Sequence, residues 1–273
     1  DKRARLVGDI LARDAFAEEL ALDPDARVAA VRERDGAVEV IWRNAGGMER
    51  TERFARLLAA TGRRSNLDRL GLEHSGLALD AGGAPHFDRF TGQCGDSHVF
   101  LAGDAAPDLP LLHEAADLGR IAGDNAGGHP DVRCQARRAP LAIVFSDPQI
   151  ALVGRSHGAL LASGADFAVG AVDFGDQGRS RVMNRHRGLL RVYGEHGSGI
   201  LLGAEMVGPR AEHIGHLLAW SVQQRRTVAE LLAMPFYHPV VEEGLRTALR
   251  DLARGPRIGP APVPHCLDCG PGA

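Results

Sequence analysis

The chain has 273 residues, 44% of them apolar and 25% charged, the make-up of an ordinary folded protein rather than a disordered, collagen-like or coiled-coil one. Thirty-two Lys and Arg against 35 Asp and Glu leave a formal charge of −3, so no basic field points to a nucleic acid partner. Four cysteines are too few for a disulfide scaffold and fit a reducing, cytoplasmic setting, and no apolar run reaches the roughly 18–20 residues that span a bilayer.

Leu6, Val7, Ile10 and Leu11 recur at helical spacing and predict an amphipathic N-terminal helix. Two β-rich runs over 27–33 and 37–43, joined by Asp35-Gly36, predict a hairpin. An apolar run over 54–60 ends in the turn-rich Thr61-Gly62-Arg63-Arg64-Ser65-Asn66, and residues 77–92 read as short strands and turns. Val99-Phe100-Leu101-Ala102 predicts a short strand stopped at Gly103-Asp104. Past Pro107 and Pro110, the spacing of Leu112, Ala115, Ala116, Ile121 and Ala122 predicts a helix over 111–126 that ends before Gly127-Gly128. The polar stretch 127–140 marks a domain boundary.

Beyond it, five strands are predicted over 141–145, 150–153, 167–174, 189–193 and 200–207, the last two linked by a turn at 195–199. A short helix near 156–163 lies between the second and third. Helices follow over 212–224, after Thr227 (which forms a capping box with Glu230) and over 242–253. Strands followed by helices argue an α+β domain with an antiparallel sheet. The tail 255–273, with five prolines and four glycines, is expected to lack fixed structure.

No glycine-rich nucleotide loop, zinc-protease helix or nucleophile elbow occurs. Asp104, after Gly103, either binds hydroxyl groups at the carboxyl end of a strand or caps a turn; the next helix start would offer free N–H groups to a ligand. His238-Pro239-Val240-Val241-Glu242-Glu243 opens the last helix, with Pro239 fixing its start. Glu243 is five residues from His238 and within reach of its imidazole, a pairing suited to a general acid/base. The plainer reading is a surface histidine beside acids that suit a helix N-terminus. His265, Cys266 and Cys269 form half a zinc site, a redox pair or two exposed thiols, and no second ligand pair completes a metal site. Cys94 and Cys134 are given no chemistry, and His213 and His216 fit a packed amphipathic helix better than a metal site.

Taken in order, these segments resemble the flavin-dependent pyridine nucleotide–disulfide oxidoreductases of the dihydrolipoamide dehydrogenase type. The resemblance rests on Ala60-Thr61-Gly62-Arg63 with Asn66, on Val99–Asp104 with Pro110–Ala115, on Phe145–Gly154, on Gly203–Pro209 and on His238-Pro239 with Glu243, and covers the chain to about Arg254. It implies four parts: a partial NAD-binding domain over 1–75 without its glycine motif, a second FAD-binding segment over 76–138, a dimerisation domain over 139–254 and a flexible tail over 255–273. The fold class is then α+β, a five-stranded antiparallel sheet with flanking helices preceded by partial α/β NAD- and FAD-binding segments.

By the same resemblance, Gly103 and Asp104 would hold the ribityl chain of FAD, and the backbone at Leu112 and His113 would face the flavin's pyrimidine edge. His238, with Glu243 as partner, would exchange protons with a dithiol substrate across the twofold axis of a homodimer; Glu242 competes for that role, but the family spacing points to Glu243. Electrons would pass between dithiol, disulfide, FAD and NAD, with a lipoyl-bearing complex as a further partner. The family's C-x-x-x-x-C, its N-terminal FAD fingerprint and its NAD glycine motif are not on this chain, so it is expected to be the carboxyl-terminal part of a longer enzyme, inactive alone and holding neither cofactor tightly. Tyr237, Val240 and Val241 depart from the family's commonest residues. Two alternatives stand beside this reading: a non-catalytic dimerisation or binding module, and a mercuric-reductase-like enzyme using Cys266 and Cys269.

Overall fold

A computed structural model of the chain describes residues 23, 25–106 and 108–259. The expected N-terminal helix around Leu6 and Leu11 and the pair Cys266 and Cys269 lie outside the described residues. Residues 58–138 form one compact unit and the other described residues a second.

Strands β1 (Arg27–Arg34), β2 (Ala37–Arg43) and β3 (Glu49–Phe54) make an antiparallel meander in the order β1-β2-β3. The expected hairpin forms the first two strands, and its Asp35-Gly36 turn has both φ angles positive, 52° and 73°, which suits a two-residue turn of the twisted kind. The third strand is additional to the sequence reading. Every residue of Glu-Arg-Thr-Glu-Arg-Phe is exposed, so no burial pattern announces it. Its antiparallel ladder with β2 holds it, with cross-strand charge added: Arg53 lies 4.0 Å from Glu39, and Arg43 lies 3.4 Å from Glu49.

The unit over 58–138 is built mainly from turns around a small core of Cys94, Leu101, Ala106 and Leu118. Carboxylates shape these turns: Asp80 Oδ1 accepts from the N–H groups of Gly82 and Ala84, and Asp88 Oδ1 from those of Phe90 and Thr91. The strand expected over Val99–Ala102 does not form. Its backbone bonds to the neighbouring loop, Cys94 N–H to the Val99 carbonyl and Leu101 N–H to the Gly92 carbonyl, which leaves an isolated bridge between Gln93 and Phe100. Helix α1 (Leu112–Gly128) runs through Gly127-Gly128 rather than stopping before them. Neither glycine takes a positive φ, and the helix ends where Pro130 cannot continue it.

In the second unit, β4 (Leu141–Val144), β5 (Gln149–Gly154), β6 (Phe167–Asp173), β7 (Leu189–Glu195) and β8 (Leu201–Gly208) form an all-antiparallel sheet in the order β4-β5-β8-β7-β6. Each lies within two residues of its expected span. The register aligns Ala151, Met206 and Leu190 in one row and Val153, Ala204 and Val192 in the next, all buried. Two helices cover that face: α4 (Ala211–Gln223) lies on β4, β5 and β8, and α6 (Glu243–Ala253) lies on β6 and β7. The short α2 (His157–Ala162) starts at Ser156, whose side chain accepts from the Ala159 N–H, and α5 (Val228–Leu232) starts at Thr227 with its capping box complete.

Two features of this sheet domain also differ from expectation. A five-residue helix, α3 (Gly178–Val182), has no apolar spacing to reveal it, and the Gln177 side chain caps it by accepting from the Ser180 N–H. Strand β6 stops at Asp173, because Phe174 turns inward and fills the core with no exposed surface. Among the described residues no helix is long and apolar enough to cross a membrane.

Candidate functional site

The last helix begins one residue later than expected, at Glu243, and Pro239 is not its first residue. Pro239 sits instead in a turn, behind a cis His238–Pro239 bond, and residues 240–242 lead from it into α6. That segment is pinned at several points. The Val240 N–H donates to Glu243 Oε2 at 3.2 Å, and the Val240 carbonyl accepts from Gln177 Nε2 at 2.8 Å. Val241 is buried in the core. Gly244 lets the helix start rest on Phe174, since a Cβ there would lie 2.8 Å from the Phe174 ring.

The turn brings His238 and Glu243 together. Nδ1 of His238 lies 3.0 Å from Oε1 and 3.1 Å from Oε2 of Glu243. The Glu243 side chain is 9% exposed and that of His238 is 68% exposed. Arg246, one turn along α6, donates to Glu243 Oε1 at 3.3 Å and stacks its guanidinium 5.7 Å from the Phe236 ring centroid. A carboxylate accepts a hydrogen bond, so a Nδ1–H donated to it leaves Nε2 as the nitrogen at which the ring can exchange a proton. A group so arranged takes a proton at Nε2 and returns it, while the carboxylate beside Nδ1 holds the ring's orientation. Glu242 flanks the helix start as its N-cap.

In the unit over 58–138, Gly103 has φ 71° and opens a tight turn over Gly103–Ala105. The side chain of Asp104 is about one-third exposed and lies 2.8 Å from Arg63 Nη1. Helix α1 follows with Leu111 as N-cap, which supplies no capping side chain, so the amides of its first turn are left for another acceptor. Leu112 is 89% exposed, and His113 Nε2 lies 4.0 Å from Glu114 Oε1. An uncapped start to a 17-residue helix, next to a carboxylate held by an exposed arginine, fits an electron-rich, hydroxyl-bearing ligand.

Sequence reasoning missed the supporting residues Gln177, Arg246 and Arg63. The i, i+3 spacing of Glu243 and Arg246 was the one available signal among them, because Gln177 and Arg63 reach their partners through folding. Cys94 is buried, which pushes its thiol above the ordinary value and suits a core role. Among the described residues no group of three or more His, Cys, Asp or Glu is placed to hold a metal ion.

An all-antiparallel five-stranded sheet with two covering helices and a histidine–glutamate pair at the start of the last one defines a recognisable class. Residues 141–249 match the pyridine nucleotide-disulphide oxidoreductase dimerisation domain, and over that part the chain belongs to this family. Within it, the likeness is to dihydrolipoyl dehydrogenases. The chain is 31% identical over 235 residues to dihydrolipoyl dehydrogenase of Haloferax volcanii, covering 85% of this chain and 49% of that protein. A mercuric reductase of Acidithiobacillus ferrooxidans is 32% identical over 203 residues, covering 74% of this chain and 36% of that protein. The crystal structure of LpdA from Mycobacterium tuberculosis superposes with a TM-score of 0.72 at 28% identity, covering 88% of this chain and 51% of that one. The chain spans about half the length of the dihydrolipoyl dehydrogenases it matches.

Proposed function

We propose that this chain is part of an FAD-dependent dithiol:NAD oxidoreductase of the dihydrolipoyl dehydrogenase kind. In this reading it supplies part of the FAD site, the homodimer interface and the acid/base pair. The observation that carries it is the His238–Glu243 contact at 3.0 Å, at the start of the last helix of a domain that belongs to this family. Bound FAD supplies the two-electron acceptor, and the chain's own residues manage position and protons.

His238 Nε2 takes the proton from a substrate thiol, leaving the thiolate, which is the nucleophilic form. Glu243 keeps the ring oriented through Nδ1 and stabilises the imidazolium until the proton is returned. Arg246 and the Val240 N–H hold Glu243 in place. Asp104, exchanging its contact with Arg63, would hold the FAD by accepting hydrogen bonds from its hydroxyls. The amides at Leu112 and His113 would offer a helix N-terminus, which favours negative charge on the flavin. The twofold assembly brings His238 of one protomer to the flavin and disulfide of the other, so the dimer is the catalytic unit.

The test is to supply the intact protein with FAD, a small dithiol such as dihydrolipoamide, and NAD. The expected result is tightly held flavin and dithiol-driven reduction of NAD by a dimer. A protein that holds no flavin, or a flavoprotein that no dithiol reduces, overturns the reading. In the first case, a colourless dimer supports the dimerisation-module alternative.

A further inference from the structure

Residues 133–138 run back along α1 and bond to it at successive levels. Near the helix end, Asn125 Nδ2 donates to the Arg133 carbonyl at 3.0 Å, and Asn125 Oδ1 accepts from the Arg133 N–H at 2.9 Å. Farther back, Arg120 donates to Gln135 Oε1 at 2.7 Å. Two consecutive arginines then grip two acids one turn apart: Arg138 Nε lies 3.1 Å from Asp117 Oδ2, and Arg137 forms an ion pair with Glu114 in the first turn.

The last of these contacts differs from the others in burial. The side chains of Arg137 and Glu114 are 6% and 4% exposed, whereas that of Arg138 is 74% exposed. Arg137 also donates to the Arg89 carbonyl at 3.0 Å and lies 3.9 Å from Asp108, which Arg89 contacts at 3.4 Å. A buried pair gains little net stability, because desolvation offsets its attraction, but either charge left alone in that place is costly. Its effect is to fix position and to cancel charge. Glu114 sits at the third residue of α1, one residue beyond His113 and beside an N-terminus with no capping side chain.

We propose that Arg137 is a positioning residue for the flavin: through Glu114 it fixes the first turn of α1 and cancels a buried negative charge beside the amides of Leu112 and His113. The inference rests on the flavin reading given above and adds a determinant of flavin redox balance. A carboxylate left unpaired at that helix start opposes the negative charge that the flavin gains on reduction and offsets the favourable end of the helix dipole.

The experiment equilibrates FAD-loaded intact protein with a reference dye at fixed potential and measures the ratio of reduced to oxidised flavin. Arg137→Gln is expected to lower that ratio at least tenfold, a shift of about 30 mV for a two-electron couple. Glu114→Gln is expected to raise it, and the double variant to return to within about threefold of wild type, since the charge leaves with its partner. Where Arg137→Gln does not fold, the other two variants carry the test. A merely structural pair would lower flavin occupancy or melting temperature and leave the ratio unmoved. Equal ratios in flavin-loaded wild type and variants therefore overturn the inference alone. A wild-type protein without flavin removes the reading beneath it as well, and this inference falls with it.

Discussion

Glu243 gathers three donors on one carboxylate: the Val240 N–H, Arg246 Nη2 and the imidazole Nδ1 of His238. Only the last was legible in the sequence, from a five-residue spacing that lets a side chain at a helix start fold back over the preceding turn. The Arg246 contact had its i, i+3 spacing as a signal that went unread, whereas the Val240 contact depends on where the turn places the backbone, which residue spacing encodes weakly. Glu243→Ala removes the acceptor of a part-buried N–H and of an arginine side chain that is only 12% exposed. The expected loss is about 3 kcal/mol, read as a lower urea midpoint with unchanged slope. Glu243→Gln keeps an acceptor for two of the donors and should cost roughly half as much. Equal stability in all three proteins would show that the carboxylate holds nothing. Asp104 is the opposite case: its residue type and place after Gly103 were legible, whereas its contact with Arg63 joins residues 41 positions apart in sequence and was not.

At the scale of elements, legibility followed burial. The five strands of the main sheet carry β-branched and apolar residues that pack under α4 and α6, and their spans were readable to within two residues. Strand β3 is wholly exposed and α3 lacks an apolar stripe, so neither left a pattern. The run at Val99 failed for a converse reason: strand-like composition met a short loop rather than a neighbouring strand. Two element-scale tests follow from this packing. Gly170 in β6 lies under α6, where an added Cβ would come 2.3 Å from the Ala248 carbonyl oxygen and 2.5 Å from the Leu252 backbone. Gly170→Ala is therefore expected to push the helix off the sheet and cost about 2–3 kcal/mol in thermal or urea unfolding, and a neutral result would mean that α6 does not sit so close. The capping box of α5 gives a pH test. Bonds from Thr227 to the Glu230 carboxylate, chiefly from its backbone N–H, hold that carboxyl below its ordinary range. A carboxyl lowered on folding stabilises the native state above its unfolded value, and that contribution fades as pH falls through the lowered folded value. Wild type should thus exceed Glu230→Gln in melting temperature at neutral pH, with the gap closing well below pH 4.5; a gap that widens in acid would contradict the capping box.

For the whole molecule, the family was legible because several short segments occur in one order, although none is specific alone. Ser146-Asp147-Pro148 at the β4–β5 turn, Gly208-Pro209 before α4 and His238-Pro239 before α6 mark junctions of the domain rather than its core. Such junctions are where sequence is held by backbone geometry as well as by packing. The catalytic claim reaches beyond this chain, because the proposed acid/base needs a thiol, a flavin and a second protomer to act upon. Dissociating the intact dimer should then abolish dithiol turnover even where flavin stays bound, since each His238 would serve the other protomer's site. The most direct test of the central claim is anaerobic stopped-flow reduction of the bound flavin by a dithiol, comparing wild-type intact protein with His238→Gln at equal flavin content. Removal of a positioned acid/base should slow flavin reduction by about 100-fold or more with the flavin spectrum and occupancy unchanged. Equal rates in the two proteins would contradict it.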